Sequence, residues 1–213
     1  IGWGDAHYGG DSSAVQEQLV NVQSIQSNYS AFAAIRFDGI VVAWGARGDG
    51  GDSSAVQDQL TNVQQIQSTD GAFAALKTDG SVIAWGDSRL GGDLEDVKDQ
   101  LQGVVQIQRT DAAFAAIVVD GRVIAWGNAS MGGNAGAVQD QLIDVIQIQS
   151  TSRAFVAIRR DGHVVSWGDR DRGGDSRAVQ DQLVGVKEVQ ATQAGAFAAL
   201  LSDGSVVTWG RAG

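Results

Sequence analysis

The dipeptide Trp-Gly recurs along the chain at an almost constant interval, and this period constrains the fold more than any other feature of the sequence. Successive tryptophans are separated by 41, 41, 41, 41 and 42 residues. They are Trp3, Trp44, Trp85, Trp126, Trp167 and Trp209. A period of about 20 to 50 residues is typical of solenoids, propellers and similar arrays of one repeated structure. We therefore expect five complete repeats, with the large apolar tryptophans in the structural core.

The pattern inside one repeat predicts short β-strands. Two apolar runs, Ala72–Leu76 and Ser81–Trp85, flank Asp79 and Gly80, and Asp-Gly between hydrophobic runs is a strong hairpin signal. A third run at Val63–Gln67 adds another strand. Because the strands are apolar on both faces, each sheet must pack between two neighbours, as a propeller blade does. The sequence predicts a mainly β protein, a β-propeller or open propeller-like array of about five three-stranded blades.

A short inserted helix is predicted in each repeat. Asp52 is a residue type that caps helix N-termini, and Val56 and Leu60 give an apolar stripe at the spacing of one helical turn. Isolated helices this short barely form, so packing against the blades must hold them. The predicted helices, of about two turns each, cover Ser12–Leu19, Ser53–Leu60, Leu94–Leu101, Ala135–Leu142 and Ser176–Leu183.

The period also predicts the domain organisation, a single repeat domain over residues 1–213. Its repeats are residues 3–43, 44–84, 85–125, 126–166 and 167–208, followed by a terminal strand at 209–213. The chain begins inside a repeat, where Ile1–Gly4 gives a solitary leading strand. Since repeat folds need capped or closed ends, we expect a segment or processed product of a longer array. Closure of the blades into a ring stays open at this stage.

These motifs resemble a known repeat. The run of a hydrophobic strand, Ala72–Leu76, Asp-Gly, Val82–Gly86 and a Gly-Gly corner resembles the repeat of the regulator of chromosome condensation family, over the whole chain. The short period is most similar to propellers of the β-lactamase inhibitor protein II type, which have three-stranded blades. The family's Gly-x-x-His and Gly-Gln-Leu-Gly patterns are replaced here by Thr69–Phe73 and Gly50–Ser53. The resemblance implies a propeller used for protein contacts.

Composition excludes several classes of partner. The net charge of −10 opposes nucleic-acid binding, because Lys and Arg are what neutralise phosphates. No stretch reaches the roughly 18 consecutive apolar residues of a membrane helix, and the N-terminal segment lacks a signal-peptide pattern. We expect a soluble protein without membrane insertion. Its compartment is undetermined, since the chain has no cysteine to report on redox conditions and a targeting segment cleaved before Ile1 would leave no trace.

The sequence offers few candidates for catalysis. Gly-Asp-Ser at residues 10–12, 51–53 and 174–176 resembles the start of a serine hydrolase, but the serine is absent from the other two repeats, which favours a helix cap. His7 and His163 occupy loop positions that other repeats fill differently, so they form no repeated metal set. The corners also lack calcium-loop spacing, and Asp and Glu recur symmetrically rather than as one pair. We assign no catalytic, cofactor or metal residues.

The residues after each Trp-Gly differ from repeat to repeat, so packing does not dictate them. Each corner follows the same strand, so we expect all corners on one rim of the array. The candidate partner-binding residues are His7, Tyr8, Arg47, Arg89, Leu90, Met131, Arg170 and Arg172. We predict a non-catalytic scaffold for protein partners of unknown identity. The alternatives are neutral variation of solvent loops, a structural or accessory subunit of a larger complex, and, more remotely, an unrecognised hydrolase.

Overall fold

The computed structural model describes residues 4–211 and shows a mainly β chain. The strands of the described residues form five three-stranded antiparallel sheets, each in the order of the sequence. Two compact units are present, Ile1–Val104 and Val105–Gly213. The strands are β1 Val22–Ser27, β2 Ala31–Arg36, β3 Val41–Gly45, β4 Val63–Ser68, β5 Ala72–Lys77, β6 Val82–Gly86, β7 Val104–Arg109, β8 Ala113–Val118, β9 Val123–Gly127, β10 Val145–Ser150, β11 Ala154–Arg159, β12 Val164–Gly168, β13 Val186–Ala191, β14 Ala196–Leu201 and β15 Val206–Gly210. The predicted three-stranded blades are confirmed.

The Asp-Gly hairpins are confirmed, and their loops contain three residues. In the second sheet, the Lys77 N–H donates to the Ser81 carbonyl and the Gly80 N–H donates to the Lys77 carbonyl, both at 3.0 Å. Gly80 has φ +79°, the left-handed conformation that closes such a loop and that glycine adopts without strain. This hairpin joins β5 to β6 and sets Phe73 opposite Trp85.

The inserted helices are confirmed in position but are shorter and tighter than predicted. They are 3-10 turns at Ser13–Val15, Gln57–Gln59, Lys98–Gln100, Gly136–Gln141 and Gln180–Gln182. Asp52 accepts from the Ser54 N–H at 2.9 Å and so caps a turn rather than a helix. Val56, with φ −124°, interrupts the helical backbone and packs against the core that contains the fully buried Leu60. This break explains why no two-turn α-helix forms.

Apolar packing between consecutive sheets follows one pattern in both compact units. In the first unit, Ala31, Ala33, Ile35 and Val41 of the first sheet pack against a cluster from the second sheet that includes Phe73 and Trp85. In the second unit, the third sheet packs on the fourth, and the fourth on the fifth, through equivalent residues. Sheets with two apolar faces are what the sequence predicted for blades.

Each tryptophan within residues 4–211 stacks on the phenylalanine opposite it on the neighbouring strand. The ring centroids lie 5.1 to 5.3 Å apart. Core placement is confirmed for Trp85, Trp126, Trp167 and Trp209, which are buried. Trp44 is less buried than these four, because the face of its sheet lines an open cavity. Trp3 lies outside the described residues.

Candidate functional site: the Trp-Gly corners

A corner is defined here as the three-residue 3-10 turn that follows each of the first five Trp-Gly pairs. The five corners are Ala6–Tyr8, Arg47–Asp49, Ser88–Leu90, Ala129–Met131 and Arg170–Arg172. Because β2 runs away from the corner end and β3 returns to it, each of the four corners that follow a described strand lies at the end of its sheet opposite the Asp-Gly hairpin. Corners and hairpins are therefore separate surfaces of each sheet.

Side-chain caps fix the start of most corners. Asp87 accepts from the Arg89 N–H at 2.9 Å, and Asn128 accepts from the Ser130 N–H at 3.0 Å. The carboxylates of Asp5 and Asp169 make the same bond in their own corners. Asp and Asn are favoured here because their short side chains reach the N–H two residues ahead.

A glycine in the left-handed conformation ends each corner. Gly132 has φ +99°, and a Cβ on it would lie 2.6 Å from the Phe155 ring. Its carbonyl accepts from Trp167 Nε1 at 3.0 Å. Gly50 and Gly173 have the same contacts, with Nε1 distances of 2.9 and 3.1 Å. The tryptophan thus holds the corner as well as filling the core.

A buried threonine fixes the third residue of three corners. Thr151 Oγ1 donates to the Arg172 carbonyl at 3.0 Å and accepts from the Ala154 N–H at 3.0 Å. The equivalent bonds run from Thr69 to the Leu90 carbonyl at 2.9 Å and from Thr110 to the Met131 carbonyl at 3.0 Å. The corner backbone is therefore held at its start, its third residue and its end.

The structure separates the predicted partner-binding residues into two groups. The side chains of His7, Tyr8, Arg47, Arg89 and Arg170 are exposed.

Leu90, Met131 and Arg172 are instead half-buried, since the third corner residue turns back toward a neighbouring loop. Leu90 packs beside Gly71, where an added Cβ would lie 2.9 Å from its Cδ1. Arg172 Nη1 donates to the Ala194 carbonyl at 3.1 Å. Replacing Leu90 or Arg172 would therefore disturb packing against the neighbouring loop.

Two corners of the first compact unit share one depression. A cavity of about 600 Å³ is lined by His7, Tyr8, Arg47 and Asp49 and also by Tyr29, which sequence reasoning missed. Tyr29 is highly exposed, and its ring meets Tyr8 edge-on with centroids 6.2 Å apart. It lies in the loop between β1 and β2, where an exposed aromatic residue in one repeat alone was the available signal.

Ion pairs orient the corner arginines. Arg89 donates to both carboxylate oxygens of Asp87, at 3.1 and 2.7 Å, and these bonds lower the pKa of the Asp87 carboxyl. Arg47 Nε lies 2.8 Å from Asp52. Both guanidinium groups remain largely exposed, so each can be offered to a carboxylate or an aromatic ring of a partner.

The residues considered for catalysis have structural contacts. Ser53 and Ser176 are buried, and their hydroxyls donate to Gln57 and Gln180 at 2.8 Å. His7 and His163 are exposed and lie 3.3 Å from a neighbouring aspartate. Within residues 4–211, no three His, Cys, Asp or Glu side chains are grouped to hold a metal ion, and no helix is long and apolar enough to cross a membrane.

Comparison with known proteins finds similarity in structure alone. No protein-family model matches the sequence, and no curated protein matches it. Yeast RCC1 (Prp20), solved with bound Kap60, aligns with a TM-score of 0.59 and 21% identity over 94% of this chain and 58% of its own. Human WBSCR16 aligns with a TM-score of 0.57 and 17% identity over 89% of this chain and 61% of its own. The ectodomain of the Physcomitrella patens receptor kinase CR4 aligns with a TM-score of 0.59 and 17% identity over 88% of this chain and 52% of its own.

These alignments confirm, at the level of the fold, the resemblance to the regulator of chromosome condensation family. The repeated antiparallel sheets are those of a β-propeller repeat protein. The chain spans 52 to 61% of the length of the three structures.

Proposed function

We propose that this chain is a non-catalytic scaffold that binds another protein through the exposed side chains of its corners. The observation that carries the proposal is the contrast between backbone and side chain at each corner. A left-handed glycine ends the backbone of every corner, a side-chain cap fixes the start of four corners, and a tryptophan hydrogen bond holds the glycine carbonyl of four. The three-residue sequence of the corner nevertheless differs from repeat to repeat. Rigid scaffolds with variable loops are typical of binding surfaces, because little entropy is lost when the loop is already ordered.

The depression between the first two corners is the most specific part of this surface. It gathers Tyr8, Tyr29 and Arg47, and tyrosine and arginine are the residue types that contribute most to protein interfaces. The two tyrosine rings already meet edge-on, and both are exposed. We assign this depression as the centre of the binding surface in the first compact unit.

Structural neighbours support a protein as the class of partner. Yeast RCC1 was solved bound to Kap60, and Prp20p from Saccharomyces cerevisiae was studied for its binding to Gsp1p and histones. The fold therefore serves protein recognition in those proteins. A structural role inside a larger complex is compatible with the same surface. The hydrolase alternative gains no support, since the candidate serines are occupied with glutamine side chains.

The test compares two triple variants that remove the same charge. The corner variant carries Ser in place of Arg47, Arg89 and Arg170. The control variant carries Ser in place of Lys98, Arg122 and Arg160, which are also exposed but lie outside the corners. Exposed substitutions change stability by about 0.5 kcal/mol or less each, so both variants should fold.

The partner is first captured from an extract of the native source, identified and purified. Its dissociation constant is then measured for the wild type and both variants by titration calorimetry. The corner variant should bind at least about tenfold more weakly, while the control should stay within about twofold. An equal loss of affinity in both variants would show that binding depends on the overall charge of the protein and not on the corners. Unchanged binding by the corner variant would place the function on another surface.

A further inference from the structure

A polar pocket lies beside β12, where the fourth and fifth repeats meet. Five consecutive residues of that strand, Val164–Gly168, line one side of it. Residues of the segment 134–141 line a second side, and residues of the segment 174–180 line a third. The cavity has a volume of about 480 Å³, a size typical of ligand sites, and all of its lining belongs to the second compact unit. It is called the β12 pocket below.

Two arginines at this pocket are specific to the fifth repeat. Arg170 and Arg177 both line the cavity. The fourth repeat has Ala129 and Gly136 at the equivalent positions, and no repeat except the fifth has a basic residue at both. The other repeats form the same sheet without this pair, so the architecture of the blade does not require it.

The charges of the pocket favour an anion. Arg170 is exposed, and the side chain of Arg177 is 77% exposed. Asp175 accepts from Arg177 Nε, at 2.9 and 3.1 Å to its two oxygens, and from Nη2. A guanidinium has five N–H donors, so Arg177 retains donors for a second carboxylate. Two guanidinium groups and one carboxylate leave the lining with an excess of one positive charge, in a chain whose net charge is −10.

Ser166 adds a buried hydroxyl to the lining. The second, third and fourth sheets from the N-terminus compare directly here, because Ser166 stands where the three preceding sheets have Ala43, Ala84 and Ala125. The residue is only 9% exposed, and its Oγ has no hydrogen-bond partner among the residues that the structure describes. A buried hydroxyl without a partner is less stable than the alanine it replaces. Its presence beside a cavity therefore points to a ligand group that accepts from it.

The backbone of Ser166 provides a second donor. β12 is the edge strand of its sheet, and the Val164 carbonyl accepts from Gln180 Nε2, outside the sheet, at 3.1 Å. In an antiparallel pair, alternate residues direct their backbone groups away from the partner strand. The N–H of Ser166, two residues after Val164, is therefore directed away from β11 and toward the edge that lines the pocket.

We propose that the β12 pocket binds an acidic side chain of the protein partner, with its carboxylate held by Arg170 and Arg177 and by the donors of Ser166. The inference rests on the proposed function, because the pocket reaches two corners through Ala129 of the fourth and Arg170 of the fifth. A protein docked on these corners lies next to the pocket. A carboxylate fits these groups, since hydrogen bonds between charged partners are stronger than neutral ones and guanidinium groups match carboxylate geometry.

A capped amino acid tests the chemistry of the pocket without the partner. The N-acetyl, C-amide derivative of glutamic acid is titrated into isotope-labelled protein, and the same derivative of glutamine is the neutral comparison. The NMR signals of the Ser166 N–H and the Arg177 Nε–H should shift and saturate with the acid alone. Arg177→Gln and Ser166→Ala should each weaken binding of the acid at least about threefold, followed on the signal that each variant retains. Equal shifts with acid and amide overturn the proposal.

The matched control for these variants is Arg122→Gln. Arg122 also pairs with an aspartate two residues before it, through a 2.7 Å bond from Nε to Asp120, but it lies in a hairpin loop away from the pocket. It removes the same charge as Arg177→Gln and should leave binding of the acid unchanged. Ser166→Ala restores the residue that three other sheets have, so it should fold.

Partner affinity is then measured with the same variants and with a double variant, Arg47→Ser with Arg89→Ser, whose residues belong to corners but not to the pocket. Arg177→Gln should weaken binding at least about tenfold and Ser166→Ala severalfold, while Arg122→Gln should have no effect. Weaker binding by the corner double variant, with unchanged binding by both pocket variants, overturns the pocket and leaves the proposed function intact. The reverse result supports the pocket and contradicts binding through the other corners.

Discussion

Replacing Trp167 with alanine tests whether the tryptophan links the core to the corner. The indole is buried, stacks on Phe155 with centroids 5.2 Å apart, and donates to the Gly132 carbonyl at 3.0 Å. Removing a buried Trp costs about 3 to 5 kcal/mol through lost transfer energy and the cavity left behind. The lost hydrogen bond leaves a carbonyl without its donor, so we expect the upper half of this range, about 4 to 5 kcal/mol.

Trp44→Ala is the matched comparison within the same chain. Trp44 makes the same stack, on Phe32 at 5.1 Å, and the same bond, to the Gly9 carbonyl at 3.1 Å, but it is only half-buried. Because Trp44 is partly exposed, less transfer energy is lost on its removal, so the expected loss is smaller, about 2 to 3 kcal/mol.

Urea unfolding followed by circular dichroism measures both losses, provided that the m-values of wild type and variants agree. A loss below about 1 kcal/mol for Trp167→Ala, or equal losses at the two positions, would refute the reasoning from burial.

Further predictions concern the corner glycine, the acid range and the buried threonine. Gly50→Ala should destabilise the protein by more than about 2 kcal/mol, because φ is +94° and the new Cβ would lie 2.6 Å from a phenylalanine ring, while Gly48→Ala in the same corner, with open space around it, should be nearly neutral. Hydrogen bonds from Arg177 lower the pKa of Asp175 to about 2. The ionised Asp175 therefore stabilises the folded state fully above the unfolded pKa of about 4, and this stabilisation is lost as the pH falls toward 2. Asp175→Asn should therefore make the free energy of unfolding fall less steeply between about pH 4 and 2 than it does in the wild type, and identical slopes would contradict this. Thr151→Val should cost about 1 to 2 kcal/mol and speed amide exchange in the corner whose carbonyl the hydroxyl holds, whereas unchanged exchange would show that the bond does not order the corner.

The repeated sheets were predictable because their signals are local. The loop of each Asp-Gly hairpin is closed by a glycine with positive φ, as in Gly80, and the flanking strands follow directly from it. The tryptophan period then places each hairpin against an equivalent one. A phenylalanine opposite each tryptophan, as in Phe73 and Trp85, also follows from the register that the hairpin imposes.

Local signals are insufficient where a residue depends on contacts that its own segment does not encode. Val56 leaves the helical conformation to reach the core, so the spacing of Val56 and Leu60 did not produce an α-helix. Leu90 and Arg172 vary between repeats, as solvent residues do, yet they cover neighbouring loops. Trp44 has the same sequence context as the buried tryptophans and differs only in what covers its sheet.

Hydroxyl-radical footprinting of the complex with the captured partner tests the central proposal, binding through the corners, most directly. Tyr8 is exposed in the first corner, whose Gly9 carbonyl accepts from Trp44 of β3, and Phe37 is exposed in the Asp-Gly hairpin at the other end of β3, so both rings react readily in the free protein. On binding, the account predicts that oxidation of Tyr8 and Tyr29 falls severalfold while that of Phe37 stays the same. Protection of Phe37 with Tyr8 and Tyr29 still reactive would contradict it.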